Sequence, residues 1–129
     1  MEQYASATGI TRLANRRLAK DDAPSILRGG EISAKAVVDA VKAGDKVAIE
    51  IAELFGEYLG KGLAAVASVV DPQILVIGGG VSKAGDILFK YIEPSYKRCA
   101  FGPCKQAKFA LAELGNDAGI YGAAALVLK

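Results

Sequence analysis

The feature that most constrains the fold is the short segment QILVIGG at residues 73–79. It is apolar after its first residue and rich in β-branched side chains, which is typical of a strand covered on both faces. A helical pattern follows from Asp86 to about Cys99, and the segment AKFALAEL at residues 107–114 has the pattern of a second strand. Strand, helix and strand in this order form a βαβ unit with a parallel pair and a right-handed crossover. The sequence therefore predicts an α/β fold.

Two strands are too few for a stable sheet. An apolar parallel strand needs neighbours on both sides to satisfy its backbone hydrogen-bonding groups. We therefore expect the single domain of residues 1–129 to be part of a larger fold. The alternative is that the exposed sheet edge pairs with a second copy, as a swapped or sheet-extended dimer.

The rest of the chain is predicted to be helical. Ser33 and Asp45 have the character of N-caps, and the pair Asp71-Pro72 ends the helix that Asp45 begins. Asn116 or Asp117 is expected to cap a closing helix of small residues. The remaining predicted elements are a helix from Glu2 to about Lys20, a turn near Ser25 to Leu27, a helix after Ser33 that ends at Gly44, and the longest helix from Asp45 to about Val69.

The longest helix carries both an apolar stripe and several glycines. Gly56, Gly60 and Gly62 each cost about 1 kcal/mol relative to alanine in a helix, so we expect another element to pack closely against them. Steps of three and four residues place one apolar face against the core. The predicted stripe consists of Val47, Ile51, Leu54, Tyr58, Leu59, Leu63, Val66 and Val70.

Composition excludes several classes of function. The net charge of +2 is too small to predict nucleic-acid binding, and the basic cluster Arg12, Arg16, Arg17 and Lys20 is interpreted as a solvated helix face. No uninterrupted apolar stretch has membrane length, and no signal peptide is recognised. The sequence predicts a soluble, cytoplasmic protein without a membrane or nucleic-acid partner.

Few side chains are suited to catalysis. The chain has no histidine, and its two cysteines, Cys99 and Cys104, are too few for a zinc site and are predicted to be free thiols. Asp117 at a strand exit is explained at least as well by a helix cap. Carboxylates at five positions are placed on helix surfaces, paired with lysines: Asp39, Asp45, Glu50, Glu53 and Glu57.

Three consecutive glycines, Gly78, Gly79 and Gly80, follow the first strand. They do not have the spacing of a dinucleotide-binding or P-loop motif. One interpretation is a tight strand-to-helix turn that uses positive φ. The other is that the missing side chains let a planar ring or a phosphate lie against the backbone. Ligands in open parallel sheets bind beyond the carboxyl ends of the strands, where these glycines lie.

Three segments resemble one protein family. DPQILVIGGGVSKAGDILF, followed by LGNDAGIYGAAAL, is similar to the carboxyl-terminal segment of the ROK family of repressors, open reading frames and sugar kinases. EQYASATGI resembles the family's segment directly after its zinc-binding motif, in the glucokinase branch. The resemblance implies a partial actin-like, ribonuclease-H-like ATPase fold, helix-rich with a small parallel βαβ sheet.

The same resemblance implies a site. ATP and a hexose would bind in a cleft between two lobes, with Glu2 as a ligand of the sugar hydroxyls. Glu2 can also be explained as a carboxylate favoured by the dipole of a helix N-terminus. The residues expected beside the adenosine are Gly78, Gly79, Gly80, Val81 and Ser82.

The chain also departs from the family pattern. The phosphate loop, the Asn-Asp pair with the general base, the Gly-Thr-Gly loop and the zinc ligands are not in the sequence. We therefore expect a carboxyl-terminal fragment of a hexose kinase, inactive alone, whose intact form uses ATP and Mg²⁺, holds a structural zinc and is a homodimer. The alternative is the sugar-sensing lobe of a ROK transcriptional repressor.

Overall fold

The computed structural model describes residue 3, residues 5–114 and residues 117–127, without the side chain of Lys83. The chain forms five helices and two strands over this range. They are α1 (Ala7–Leu18), α2 (Ala34–Lys42), α3 (Lys46–Val70), β1 (Ile74–Ile77), α4 (Ile87–Cys99), β2 (Lys108–Leu111) and α5 (Ala118–Val127), with 3-10 turns at Ile26–Gly29, Gly79–Ala84 and Gly102–Gln106.

The two strands form the predicted parallel pair. Ile74 lies opposite Lys108 and Ile77 opposite Leu111, with α4 as the crossover. The prediction that β1 is covered on both faces is wrong for the described residues. Leu75 and Ile77 are buried, whereas Ile74 is 51% exposed and Val76 58% exposed. The inner face packs on the helices, and within the described chain the outer face stays about half exposed.

Helix α3 is the central element, and both of its predicted ends are confirmed. The Asp45 carboxylate accepts a hydrogen bond from the Ala48 N–H at 2.9 Å. At the other end Asp71 adopts a left-handed conformation, with φ of 46°, and its N–H donates to the Ala67 carbonyl.

The predicted apolar stripe of α3 is partly wrong. Four of its members, Leu54, Tyr58, Val66 and Val70, are exposed. Small residues and one aromatic ring occupy the buried face in their place, because that face is selected by where α4 crosses. The buried residues of α3 are Val47, Ala48, Ile51, Phe55, Gly56, Leu59, Gly60, Ala64 and Ala67.

The expected close packing at the α3 glycines is confirmed for Gly56 and Gly60. A Cβ at Gly60 would lie 2.7 Å from the Ser95 Cβ and 2.8 Å from the Ile92 carbonyl oxygen. A Cβ at Gly56 would overlap the Tyr91 carbonyl. The Ser95 hydroxyl, which is buried at this crossing, donates to the Glu57 carbonyl at 3.0 Å. The two helices therefore meet backbone against backbone.

Helix α1 begins later than predicted. Ser6 is its N-cap, and the Ser6 hydroxyl accepts a hydrogen bond from the Gly9 N–H at 3.0 Å. Because Ser6 is extended at this cap, the helix begins at Ala7 rather than at Glu2. Glu2 lies outside the described residues.

Asp45 was expected on a helix surface, and that prediction is wrong. Its carboxylate is buried and also accepts hydrogen bonds from the Ile26 N–H at 2.7 Å and the Ser25 hydroxyl at 3.2 Å. Burial raises the pKa of this carboxyl, but the hydrogen bonds from Ala48, Ile26 and Ser25 outweigh it, so the pKa lies below its ordinary value. Asp45 joins the first 3-10 turn to α3.

The remaining charges lie on the surface. Glu57 and Lys61 form the expected pair along α3 at 2.6 Å. Glu50 is bound by Arg17 of α1 at 2.6 Å rather than by a lysine, and Arg17 also contacts Asp21 at 3.0 Å. Most of the basic cluster of α1 is thus a helix face, with one arginine tying α1 to α3.

A second, smaller core lies under β2. Both cysteines are free, as predicted, with Cys99 exposed and Cys104 buried. The turn Gly102–Gln106 precedes β2, and in it the Cys104 carbonyl accepts a hydrogen bond from the Tyr96 hydroxyl at 2.6 Å. The Tyr96 ring packs edge-on against Phe109 of β2, with centroids 5.2 Å apart.

Helix α5 forms where a closing helix was expected. Asn116 lies outside the described residues, so the capping prediction stays a prediction. None of the residues of α5 is buried. Across the described ranges, none of the helices combines the length and the hydropathy that a membrane span requires.

We predict that Gly60→Ala lowers the free energy of unfolding by about 2–4 kcal/mol, because the new methyl group separates α3 from α4. Urea denaturation followed by circular dichroism measures this. Gly122→Ala in α5 is the matched control, since a Cβ there meets nothing within 4 Å. Equal stability of the Gly60→Ala variant and the wild type would contradict the helix crossing.

We also predict a pH-dependent contribution from Asp45. Because its pKa is lower in the folded state than in the unfolded state, the carboxylate stabilises the fold above the unfolded pKa, and this stabilisation is lost as the pH falls through the folded pKa. Asp45→Asn should cost about 2 kcal/mol at pH 7 and progressively less below about pH 4. The exposed Asp22, as Asp22→Asn, is the control. A penalty that does not change with pH would refute this role.

Candidate functional site

The glycine turn joins β1 to α4. Gly79 has φ of +73°, which confirms the prediction of a turn that uses positive φ. A Cβ at Gly78 would lie 3.3 Å from the Ala112 Cβ, and one at Gly80 would lie 3.2 Å from the Ala7 Cβ of α1. The fold itself therefore explains why glycine occupies all three positions. Gly79 is required by the backbone conformation, and Gly78 and Gly80 by their close neighbours.

The turn is held in one shape by its own contacts. The Ser82 hydroxyl donates to the Gly79 carbonyl at 2.7 Å, and the Gly85 N–H donates to the Ser82 carbonyl at 3.0 Å. Val81 is buried in the main core. Two contacts thus hold the backbone after β1 in place: the packing of Val81 in the core and the hydrogen bond of the Ser82 hydroxyl within the turn.

A cleft of about 460 Å³ lies between this turn and the first turns of α2. Its volume is within the range of small-molecule sites. The residues that line it are Ile10, Ser33, Ala34, Lys35, Val38, Asp39, Lys42, Gly80, Val81 and Ala84.

The cleft has an apolar floor and a charged rim. Ile10, Val38 and Val81 are buried, and together they offer a surface on which a planar ring can lie. Lys35, Asp39 and Lys42 are exposed at the rim. Lysine ammonium groups donate to phosphate oxygens, and a carboxylate accepts from hydroxyl or amino groups. This combination suits a ligand with a heterocycle, hydroxyl groups and negative charge.

The structure brings together only some of the predicted site residues. Gly80 and Val81 line the cleft. Gly78, Gly79 and Ser82 belong to the same turn but lie outside the cleft lining. Glu2 lies outside the described residues, so its role as a sugar ligand stays a prediction.

The α2 wall of the cleft could not be predicted from the sequence. Ser33 was recognised only as an N-cap, which it is, since its hydroxyl accepts from the Ala36 N–H at 3.1 Å. Asp39 was placed on a helix surface, where it does lie, but that surface faces the cleft. Helical periodicity cannot show that α2 lies opposite the glycine turn, because the two elements are far apart in the sequence.

The described residues were also compared with the ligand sets that metal ions require. Among residues 3, 5–114 and 117–127, no group of three or more histidine, cysteine, aspartate or glutamate side chains could hold a metal ion. The second expected strand exit, at residues 115–117, is described only at Asp117, which is exposed.

Comparisons with known proteins agree with the fold. A family model described as the ROK family matches residues 1–129. The chain is 38% identical over 132 residues to the glucokinase of Halalkalibacterium halodurans, in a match covering 98% of this chain and 40% of that protein. It is 32% identical over 127 residues to the DNA-binding transcriptional repressor Mlc of Escherichia coli, covering 98% of this chain and 31% of the repressor.

A solved structure of a ROK family protein is also similar to this chain. The crystal structure of a ROK family glucokinase from Streptomyces griseus in complex with glucose and AMPPNP matches with a TM-score of 0.84 and 34% identity, over 97% of this chain and 43% of that chain. The chain spans less than half the length of these relatives. The comparisons confirm the predicted fold class, an α/β, partial actin-like ATPase domain that is helix-rich with a small parallel sheet.

We predict that Gly79→Ala destabilises the protein by about 1–2 kcal/mol without any ligand, because a Cβ is strained at positive φ. Thermal unfolding in nucleotide-free buffer measures this. Gly102→Ala is the control, since a Cβ there has open space and no positive φ. Equal stability of the two variants would show that the turn does not need glycine at position 79.

Proposed function

Because the chain belongs to the ROK family, we propose that it is the carboxyl-terminal part of an ATP-dependent hexose kinase and that the hexose is glucose. Curated relatives of 38% and 36% identity are glucokinases. The observation that carries the proposal is the cleft beside the glycine turn, in a chain that resembles a glucokinase bound to glucose and AMPPNP.

The cleft is proposed to take the adenosine of ATP. The purine would lie on the apolar floor against Val38 and Val81, beside the backbone of Gly80. Gly78, Gly79 and Ser82 would act indirectly by holding the turn in shape. Asp39 would accept a hydrogen bond from a ribose hydroxyl or an amino group, and Lys35 and Lys42 would favour the phosphates electrostatically.

The transfer chemistry is assigned to the intact protein. Phosphoryl transfer needs both substrates positioned and a metal ion bridging the phosphates. The family resemblance places the residues that would hold Mg²⁺ and a structural zinc in other parts of the intact protein. Glu2 is proposed as one sugar ligand. The chain alone is expected to be inactive, and the intact kinase to be a cytoplasmic homodimer.

A second candidate function is the sugar-sensing lobe of a ROK repressor. The similarity to the repressor Mlc supports it, because that match covers 98% of this chain. The native coding sequence immediately upstream of the Met1 codon distinguishes the kinase from the repressor. In-frame phosphate-loop and Asn-Asp motifs would support the kinase, and a helix-turn-helix would support the repressor.

We predict that this chain binds AMPPNP in the cleft. Titration followed by ¹H–¹⁵N NMR should shift the amide signals of Gly80 and Val81 first. Ala34→Phe, which fills the cleft wall, should raise the dissociation constant about tenfold or more. Ala43→Phe, which adds the same ring at the exposed far end of α2, should leave it unchanged. Binding that is insensitive to Ala34→Phe would place the nucleotide elsewhere.

A further inference from the structure

Helix α1 lies directly against the glycine turn. A Cβ built on Gly80 would lie 3.2 Å from the Ala7 Cβ, and among the described residues no other heavy atom beyond the chain neighbours of Gly80 is within 4 Å of it. Gly80 lines the cleft, whereas Ala7 does not. The Cβ position of Gly80 therefore points toward α1 and not into the cleft.

The backbone conformation does not require glycine at position 80. Gly79 and Gly85 have positive φ, but Gly80 is not among the glycines that do. Alanine would fit this backbone, and what opposes it is the Ala7 methyl group. Carbon atoms that are not bonded pack best at about 3.5–4.0 Å, so a contact at 3.2 Å forces one of the two elements to move by a few tenths of an ångström.

Of the two elements, α1 is the more firmly held. Ala7 is its first residue, directly after the N-cap Ser6, and the Ala7 carbonyl accepts a hydrogen bond from the Thr11 hydroxyl at 3.2 Å. Farther along the helix, Ile10 and Leu13 are buried in the main core. The three glycines of the turn, in contrast, are exposed. A larger side chain at this contact should therefore displace the turn.

The position of the turn determines the shape of the cleft. The cleft lies between the turn and α2, and Gly80 and Val81 form part of its lining. We propose that Ala7 is a positioning residue for the nucleotide, because its methyl group sets where Gly80 lies and so how wide the cleft is. The inference rests on the proposed function, in which the cleft takes the adenosine of ATP.

Ala7 would act through Gly80 without touching the nucleotide. The floor of the cleft is part of the buried core, and a close-packed interior transmits a displacement instead of absorbing it. A shift of the turn should therefore change the fit of the bound ring. On this account, glycine occupies position 80 to accommodate α1, and the nucleotide meets only the backbone there.

The test is a double-mutant cycle at positions 7 and 80, with AMPPNP as the probe and calorimetric titration as the measurement. Gly80→Ala should raise the dissociation constant about fivefold or more. In the Ala7→Gly background the opposing methyl group is gone, so adding Gly80→Ala should change the dissociation constant by less than about twofold. If the new methyl group met the nucleotide directly, the dissociation constant would rise equally in both backgrounds, and the inference would be overturned.

Ala7→Val tests the same contact from the side of α1. It should raise the dissociation constant for AMPPNP about fivefold or more, although position 7 does not line the cleft. Thr8→Val is the matched control, because Thr8 is the next residue of α1 and its side chain is exposed. A dissociation constant for Ala7→Val equal to that of the wild type would contradict the positioning role.

Stability is measured without a ligand, so that the two proposals can fail separately. Gly80→Ala should lower the urea midpoint of unfolding, and this effect should largely disappear in the Ala7→Gly background. Additive effects on the midpoint would overturn the inference even if AMPPNP binds. A wild-type chain that binds no AMPPNP rejects the proposed function, and the urea series then decides whether Ala7 positions the turn.

Discussion

The crossing of α4 over α3 at Gly56 and Gly60 is the contact on which the rest of the structure depends. Without side chains at these positions, the two helix backbones meet directly, and the Ser95 hydroxyl bonds the α3 backbone. Since α4 is the crossover between the two strands, its position on α3 fixes the sheet. Helices α1 and α2 pack on α3 as well, so the glycine turn after β1 emerges beside them, with Gly80 against Ala7.

Features with a local cause could be predicted from the sequence. Ser33 and Asp45 are N-caps because a short polar side chain reaches the N–H groups of the next turn, and that geometry involves only neighbours in the chain. The positive φ at Gly79 follows similarly from a strand that must turn sharply. Close packing at Gly56 and Gly60 could also be predicted, because glycine is unfavourable within a helix and is tolerated where another element packs closely against it.

Features with a distant cause could not be predicted in the same way. Periodicity placed Leu54 and Tyr58 toward the core, but α4 selects the face of α3 that it covers, and they lie beside that face. The α2 wall of the cleft, with Asp39, depends on contacts across the chain. The apolar pattern of β1 is typical of a strand that is covered on both faces. The described chain covers only one face of this strand, so Val76 on the other face is exposed.

The floor of the cleft has a thermodynamic consequence for any ligand. Ile10, Val38 and Val81 come from three different elements, yet all belong to one buried cluster. Their rotamers are already restricted by packing, so a bound molecule need not order them, and little conformational entropy is lost there on binding. The flexible side chains are at the rim, in Lys35 and Lys42. The floor should therefore select ligands by shape, while the rim adapts to the charge of what the floor has accepted.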